Sequence, residues 1–173
     1  MSSDDAKGMT DFRGLLEALC REGVEFILIG GMAARVHGSA RLTEDLDLVY
    51  SRDPKNLARL ACALKDLEPY LRGAPPGLPF RWDERTLRMG LNFTLKTTLG
   101  DIDLLGEVAG GGTYPDLLPH TEEIRLFGLS CRCVDLTTLI RLKQAAGRPR
   151  DLEAIAELEA ILEEEREGPG DRS

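Results

Sequence analysis

A chain of 173 residues with a formal net charge of −8, 42% hydrophobic and 30% charged residues has the bulk of one soluble globular domain with a buried core. Its acid excess argues against a general nucleic-acid coat, which depends on many Lys and Arg side chains meeting phosphates. The opening MSSDDAKGMT lacks the apolar core of a signal peptide and no run approaches membrane-spanning length, so a cytoplasmic protein with no membrane partner is expected.

Residues 1–10 show no periodicity and are expected to be disordered. Phe12, Leu15, Leu16 and Leu19 recur at helical spacing, predicting an amphipathic helix over Asp11–Glu22 that stops at Gly23. Val24–Ile29 predicts the first strand, Gly30-Gly31 a turn, Met32–His37 a short helix closed by His37, and Asp45–Tyr50 the second strand. Asp53 and Pro54 open a helix as cap and first-turn residue, with Leu57, Leu60, Ala61, Leu64 and Leu67 as its apolar stripe. Glu68–Pro79, broken by Gly73, Pro75, Pro76, Gly77 and Pro79, reads as a surface loop beside a cleft.

Leu91–Lys96 alternates as a strand and Asp101–Leu105 follows a tight Leu99-Gly100 turn, which makes a hairpin. Gly110-Gly111-Gly112 reads as a flexible linker. Glu122–Phe127 and Leu129–Val134 flank Gly128 as a second hairpin; Asp135 caps a helix ending at Gly147, and Pro149 starts a last helix reaching about Glu165. Domain organisation follows as a disordered 1–10, a core over 11–134, helices over 135–165 packed on it, and a frayed tail over 166–173. Cys20, Cys62, Cys131 and Cys133 lack paired Cys-x-x-Cys spacing, the first two on apolar helix faces, so all four are expected as buried reduced thiols. His120 falls in a loop and neither histidine suggests catalysis.

Chemistry concentrates in Ile27–Val49. Side chains alternate across a strand, so Asp45 and Asp47 share a face while Leu46 and Leu48 enter the core. Like charges this close need a cation between them or a proton on one, and a hard divalent ion such as Mg²⁺ is the usual resolution. Gly30 and Gly31 open the backbone to a ligand, and the free N–H groups of the following helix favour a phosphate. In the later hairpin Asp101 and Asp103 share a face; Asp103 stands between Ile102 and Leu104 inside the strand, while Asp101 lies nearer the turn and reads as its cap.

An apolar strand, a Gly-Gly turn, a helix and then Thr43-Glu44-Asp45-Leu46-Asp47 on a second strand resembles the signature of the nucleotidyltransferase superfamily with the polymerase-beta-like fold. More narrowly it resembles the small bacterial AbiEii-like nucleotidyltransferases, several of which are toxins of toxin–antitoxin or phage-defence systems. Gly38, Ser39, Arg41, Thr43, Asp45 and Asp47 match GS-x-R-x-T-x-D-x-D, Gly100–Leu105 matches the strand of the third acid, and LIRLKQAAGRPRDL the C-terminal helical signature. The resemblance implies an α+β fold with a mixed sheet backed by helices and a C-terminal helical pair. It implies Asp45, Asp47 and Asp103 as metal-binding catalytic acids for Mg²⁺ or Mn²⁺, with Asp103 accepting the proton of the attacking hydroxyl. Gly30, Gly31, Ser39, Arg41, Lys143 and Asp151 are implied as nucleotide-side residues; Arg150 stands where Lys is common.

The implied reaction moves a nucleoside monophosphate from an NTP to a hydroxyl on RNA, a protein or a small molecule, releasing pyrophosphate, with an antitoxin protein as a further partner. Plainer readings of single residues stand beside this: Arg41 as a surface partner of Glu44 or Asp45, Lys143 as an amphipathic-helix lysine reaching water, Arg148 and Arg150 as flanks of a helix start. A Rossmann site needs a different glycine spacing and a P-loop needs Gly-Lys-Ser/Thr, which is missing. The rival from another class is a catalytically idle nucleotidyltransferase-like binding domain.

Overall fold

The computed structural model describes residues 9–168, so the expectations for 1–8 and 169–173 lie outside the described residues. Asp11 opens α1 (Phe12–Arg21) by accepting a hydrogen bond from Gly14 N at 2.9 Å. Leu15, Leu16 and Leu19 on its inner stripe are fully buried. Gly23 ends the helix with φ +70°, and the chain enters β1 (Phe26–Ile29), whose four residues are all buried. A strand covered on both faces has no polar alternation, which is why FILI reads as an unbroken apolar run. α2 begins at once, as Gly30–Val36; the Gly-Gly pair that the sequence assigns to a turn is the first turn of the helix.

β2 (Asp45–Tyr50) runs antiparallel to β1, with Ile29 opposite Asp47. α3 (Pro54–Leu64) follows its Asp53 cap and Pro54 as expected. Within the stretch expected to be loop, β3 (Tyr70–Leu71) is a short strand, extended by a hydrogen bond from Arg72 N to Thr94 O at 3.0 Å. The breakers that suggested a loop begin only at Gly73, leaving Tyr70–Arg72 free to pair. α4 (Glu84–Met89), capped by Asp83 accepting from Thr86 N at 2.8 Å, lies in a segment to which the sequence reading assigns no element.

β4 (Asn92–Thr97) and β5 (Gly100–Leu105) form the expected hairpin. The glycine run is not a flexible linker. β6 (Glu107–Val108) and β7 (Gly112–Thr113) pair antiparallel across it, with Gly110 at φ +81° and Gly112 at φ +78° forming the reversal that only glycine makes cheaply. After a single helical turn, α5 (Tyr114–Leu117), the chain makes the expected hairpin of β8 (Thr121–Leu126) and β9 (Leu129–Val134). α6 (Leu136–Ala146) is capped by Asp135 and closed by left-handed Gly147, and α7 (Pro149–Glu167) starts at Pro149.

Among the described residues seven strands join in one sheet, in the order β3-β4-β5-β2-β1-β9-β8. The β2–β5 and β1–β9 pairs are parallel and the others antiparallel, so the architecture is α+β with a mixed sheet backed by helices, as expected. Leu46, Leu48, Ile102 and Leu104, all fully buried, form the core face of the two central strands. α6 packs against both α2 and α7, while α3 packs against α1 and α4. No helix among the described residues is long and apolar enough to cross a membrane.

One polar group pins this core. Asn56, 1% exposed, accepts from Glu25 N at 2.7 Å and donates to Glu25 O and Ser51 O at 3.0 and 2.8 Å, tying the entry of β1 to the exit of β2. Asn56→Leu leaves Glu25 N and Ser51 O without partners, while Glu25 O keeps its bond from Ser51 N at 3.1 Å, and is expected to lower stability by roughly 2–4 kcal/mol, read by urea unfolding. An unchanged midpoint would show that water replaces the amide.

The thiols divide differently from expectation. Cys131 and Cys133 are buried, Cys20 is half-buried and Cys62 is exposed. Cys62 stands two residues past Leu60, around the helix from the buried Leu57, Leu60 and Leu64 stripe. Burial pushes the Cys133 thiol up to about 12, so it stays protonated.

Candidate active site

Register builds the site before any side chain is considered. In the parallel β2–β5 pair, Asp45 lies opposite Asp101 and Asp47 opposite Asp103. The leucines and Ile102 between them are committed to the core, so all four aspartates stand on the other face as a square. Three corners converge: carboxylate oxygens of Asp45, Asp47 and Asp103 lie within 4.8 Å of one another. The sequence reading brings these three together, and the structure does the same.

The square is electrostatically strained. Desolvation, then repulsion from Asp45 and Asp103, pushes the Asp47 carboxyl up to about 8. Desolvation and the Asp103 charge also raise Asp45, against an opposing pull from Arg72. Asp47 Oδ1 is buried without a hydrogen-bond partner among the described residues. Three carboxylates within one ion's reach, two of which (Asp47 and Asp103) carry a buried oxygen with no hydrogen-bond partner among the described residues, fit a divalent cation by geometry and by donor type.

Gly30 makes the Asp47 corner possible. A Cβ on Gly30 would overlap the Asp47 carboxylate, and one on Gly31 would overlap the Thr43 side chain. The space these glycines leave is therefore filled by β2 and the residues leading into it. Thr43 in turn donates to Asp45 O at 3.2 Å. Thr10, at the end of the segment expected to be mobile, donates to Glu44 O and accepts from Asp101 N, which braces the start of both acid strands.

The other expected residues fall into two groups. Lys143, on α6, is half-buried, and desolvation holds it below its ordinary value against the opposing pull of the Asp151 and Asp47 charges. Ser39 and Arg41 are engaged by α7 instead. Ser39 Oγ donates to Glu157 Oε1 at 2.5 Å, Ala40 N donates to Glu157 Oε2 at 3.2 Å, and Arg41 Nη1 lies 3.5 Å from Glu153 Oε2. Arg41 thus pairs with Glu153 and not with Glu44 or Asp45. Asp151, 3% exposed, receives Arg148 Nε at 2.9 Å and Arg148 N at 3.2 Å at the start of α7. Burial works to raise its carboxyl, but these bonds and the Arg148 charge outweigh it and hold the group below its usual value.

One residue of the face, Arg72, escapes the sequence reading, and another, Asp101, is on the expected face with a different role. Asp101 does not cap its turn. Thr97 does that, its hydroxyl donating to Gly100 O at 2.8 Å and accepting from Leu99 N at 3.1 Å, and Asp101 faces Arg72 with Oδ2 3.4 Å from Nε. Arg72 also approaches Asp45 at 3.6 Å and Asp103 at 2.8 Å. No local pattern marks it, because its place depends on β3 pairing outside β4. The signal for Glu153 and Glu157 was present as an i, i+4 acidic pair on α7.

Comparison with known proteins bears on the fold and the family. The crystal structure of a "putative nucleotidyltransferase" from Thermotoga maritima superposes with a TM-score of 0.53 at 12% sequence identity, covering 84% of this chain and 88% of that one. The fold is therefore that of a nucleotidyltransferase. The family model "Nucleotidyl transferase AbiEii toxin, Type IV TA system" matches residues 15–152, and the chain belongs to this family of NTP-using transferases. A search of curated proteins finds no match.

Proposed function

We propose that the protein transfers a nucleoside monophosphate from an NTP to a hydroxyl acceptor on RNA, a protein or a small molecule, as the toxin of a toxin–antitoxin pair in the cytoplasm. The observation that carries this reading is the convergence of Asp45, Asp47 and Asp103 carboxylate oxygens to within 4.8 Å of one another. These three residues would hold a divalent cation, Mg²⁺ or Mn²⁺, which when bound supplies charge neutralisation to the triphosphate. The chain's own residues do the rest. Asp103 accepts the proton of the acceptor hydroxyl at a carboxylate oxygen as that oxygen bonds to the α-phosphorus; the α–β bridging bond breaks and pyrophosphate leaves.

Lys143, whose charge reaches Asp47, faces the phosphates from α6. Gly30 and Gly31 set the approach of β2 and so the position of the acids. Ser39 and Arg41 offer a hydroxyl and a guanidinium to the nucleotide at the cost of their bonds to Glu157 and Glu153, and Asp151 holds Arg148 at the start of α7. In this reading residues 11–134 are the catalytic core and 135–165 a helical pair that brings the Lys143 charge to it.

The test is incubation of purified protein with each labelled NTP, Mg²⁺ and total cellular RNA or protein, beside Asp45→Ala/Asp47→Ala. Label appearing on one acceptor class only with intact acids is the expected result and identifies that class. If no label moves and calorimetry finds no metal-dependent NTP binding, the idle-domain reading replaces this one.

A further inference from the structure

The carboxylate square has an occupant of its own. Across the sheet, Asp47, Asp103 and Thr94 lie in one row by register, and Arg72 N closes it by donating to Thr94 O at 3.0 Å. From there the Arg72 side chain, about one-quarter exposed, reaches back over three corners: Nη2 is 2.8 Å from Asp103 Oδ1, Nε 3.4 Å from Asp101 Oδ2, and Nη1 3.6 Å from Asp45 Oδ2. An arginine bridging strands for stability aims paired N–H groups at one carboxylate. Arg72 does not. The hydrogen bond its guanidinium makes goes to Leu95 O at 2.7 Å, and Arg72 Nε and Asp103 Oδ1 are both buried without an aligned partner. Its contacts with the acids are contacts of charge.

Two of those three corners, Asp45 and Asp103, are also corners of the converging triad, while Asp101 is not. We propose that Arg72 is a resident counter-cation that occupies the charge position over Asp45 and Asp103 in the metal-free protein, so that a divalent ion enters by cation exchange. Asp101 and Leu95 O are the anchors Arg72 keeps, and Asp45 and Asp103 the corners it yields. No covalent step is involved, and the absence of aligned hydrogen bonds to the acids is what makes the exchange cheap. Metal affinity is then set by competition with a tethered guanidinium as well as by the three acids. This inference rests on the metal site proposed above.

The experiment is a calorimetric Mn²⁺ titration of the full chain as wild type, Arg72→Gln, Arg72→Lys and Asp47→Asn. Arg72→Gln is expected to bind Mn²⁺ at least about tenfold more tightly than wild type, the scale set by removing one unit charge a few ångströms away in a partly solvated site, and Arg72→Lys to stay within a few-fold. Equal or weaker binding by Arg72→Gln overturns the proposal. A second measurement follows the wild type, with Arg72→Lys for assignment, should Arg72→Gln not fold. The Arg72 Nε–H resonance, assigned by its loss in Arg72→Lys, is expected to shift with Mg²⁺ at the midpoint of metal binding; an unmoved resonance overturns the exchange. If wild type and Asp47→Asn fail alike to bind Mn²⁺, the metal site itself falls, and this inference falls with it.

Discussion

Asp47→Asn is expected to abolish nucleotide transfer while raising the melting temperature of the metal-free protein at pH 8. The two effects share one cause. Burial and two neighbouring acids push Asp47 to about 8 in the folded chain, against about 4 for an unfolded aspartate. The folded state therefore binds the proton that the unfolded state gives up, and stability is full below about pH 4 and is lost as pH rises towards 8. Asparagine cannot ionise, so this loss, on the order of a few kcal/mol at its upper bound, disappears and the pH dependence flattens. Thermal unfolding in EDTA from pH 5 to 9 checks it: a wild-type curve that falls steeply over this range beside a flatter Asn curve is the expected pair. Added Mn²⁺ is expected to restore the wild type at pH 8 and to leave Asp47→Asn nearly unmoved. An Asn variant less stable than wild type at pH 8 would show that the ionised carboxylate is satisfied without metal.

Gly30→Ala is expected to damage fold and activity together. Gly30 sits at φ +70°, where a side chain costs about 1 kcal/mol or more, and its Cβ would overlap the Asp47 carboxylate and Cβ. Either β2 shifts away from β1 or Asp47 leaves its corner. We expect a loss of roughly 2–4 kcal/mol in denaturant unfolding and at least about a hundredfold fall in transfer from whatever folds, on the scale of misplaced reacting groups. A variant with normal stability and normal turnover would mean that the strand pair yields without cost. Gly23→Ala serves as the comparison: its φ is also +70°, yet nothing lies within 4 Å of its added Cβ, so it isolates the backbone term from the clash.

The parts of the fold legible in the sequence are those where burial repeats locally. The starts of Asp45–Tyr50 and Gly100–Leu105 bury every second residue, as does Asn92–Thr97, because one face of each is core there. Asp53 and Asp135 announce helices because each carboxylate accepts from a backbone N–H of the first turn. The metal corner was legible for the same reason, since an acid every second residue can point only one way. What the sequence could not show depends on partners distant along the chain. Tyr70–Arg72 becomes a strand only because the exposed edge of β4 is there to receive it, and Arg72 acquires its carboxylates only once β3, β4, β5 and β2 stand in order. Ser39 and Arg41 look like ligand residues from their motif, but the acids that engage them come from α7, at the other end of the chain. Asp101 reads as a turn residue beside Gly100, while the capping is done by Thr97.

The parallel pairing of β2 with β5 also bears on when the protein becomes competent. Asp45 and Asp47 leave the ribosome early; their partner Asp103 follows only after α3, β3, α4 and β4 have been made. Nothing local can bring the acids together, because a parallel pair cannot be closed by a tight turn and must await a long crossover. A nascent chain ending before β5 holds the glycine pair and two acids but no third, and Lys143 is later still. This ordering makes the three-acid cluster a property of the nearly finished core, which no shorter N-terminal piece of the chain can possess.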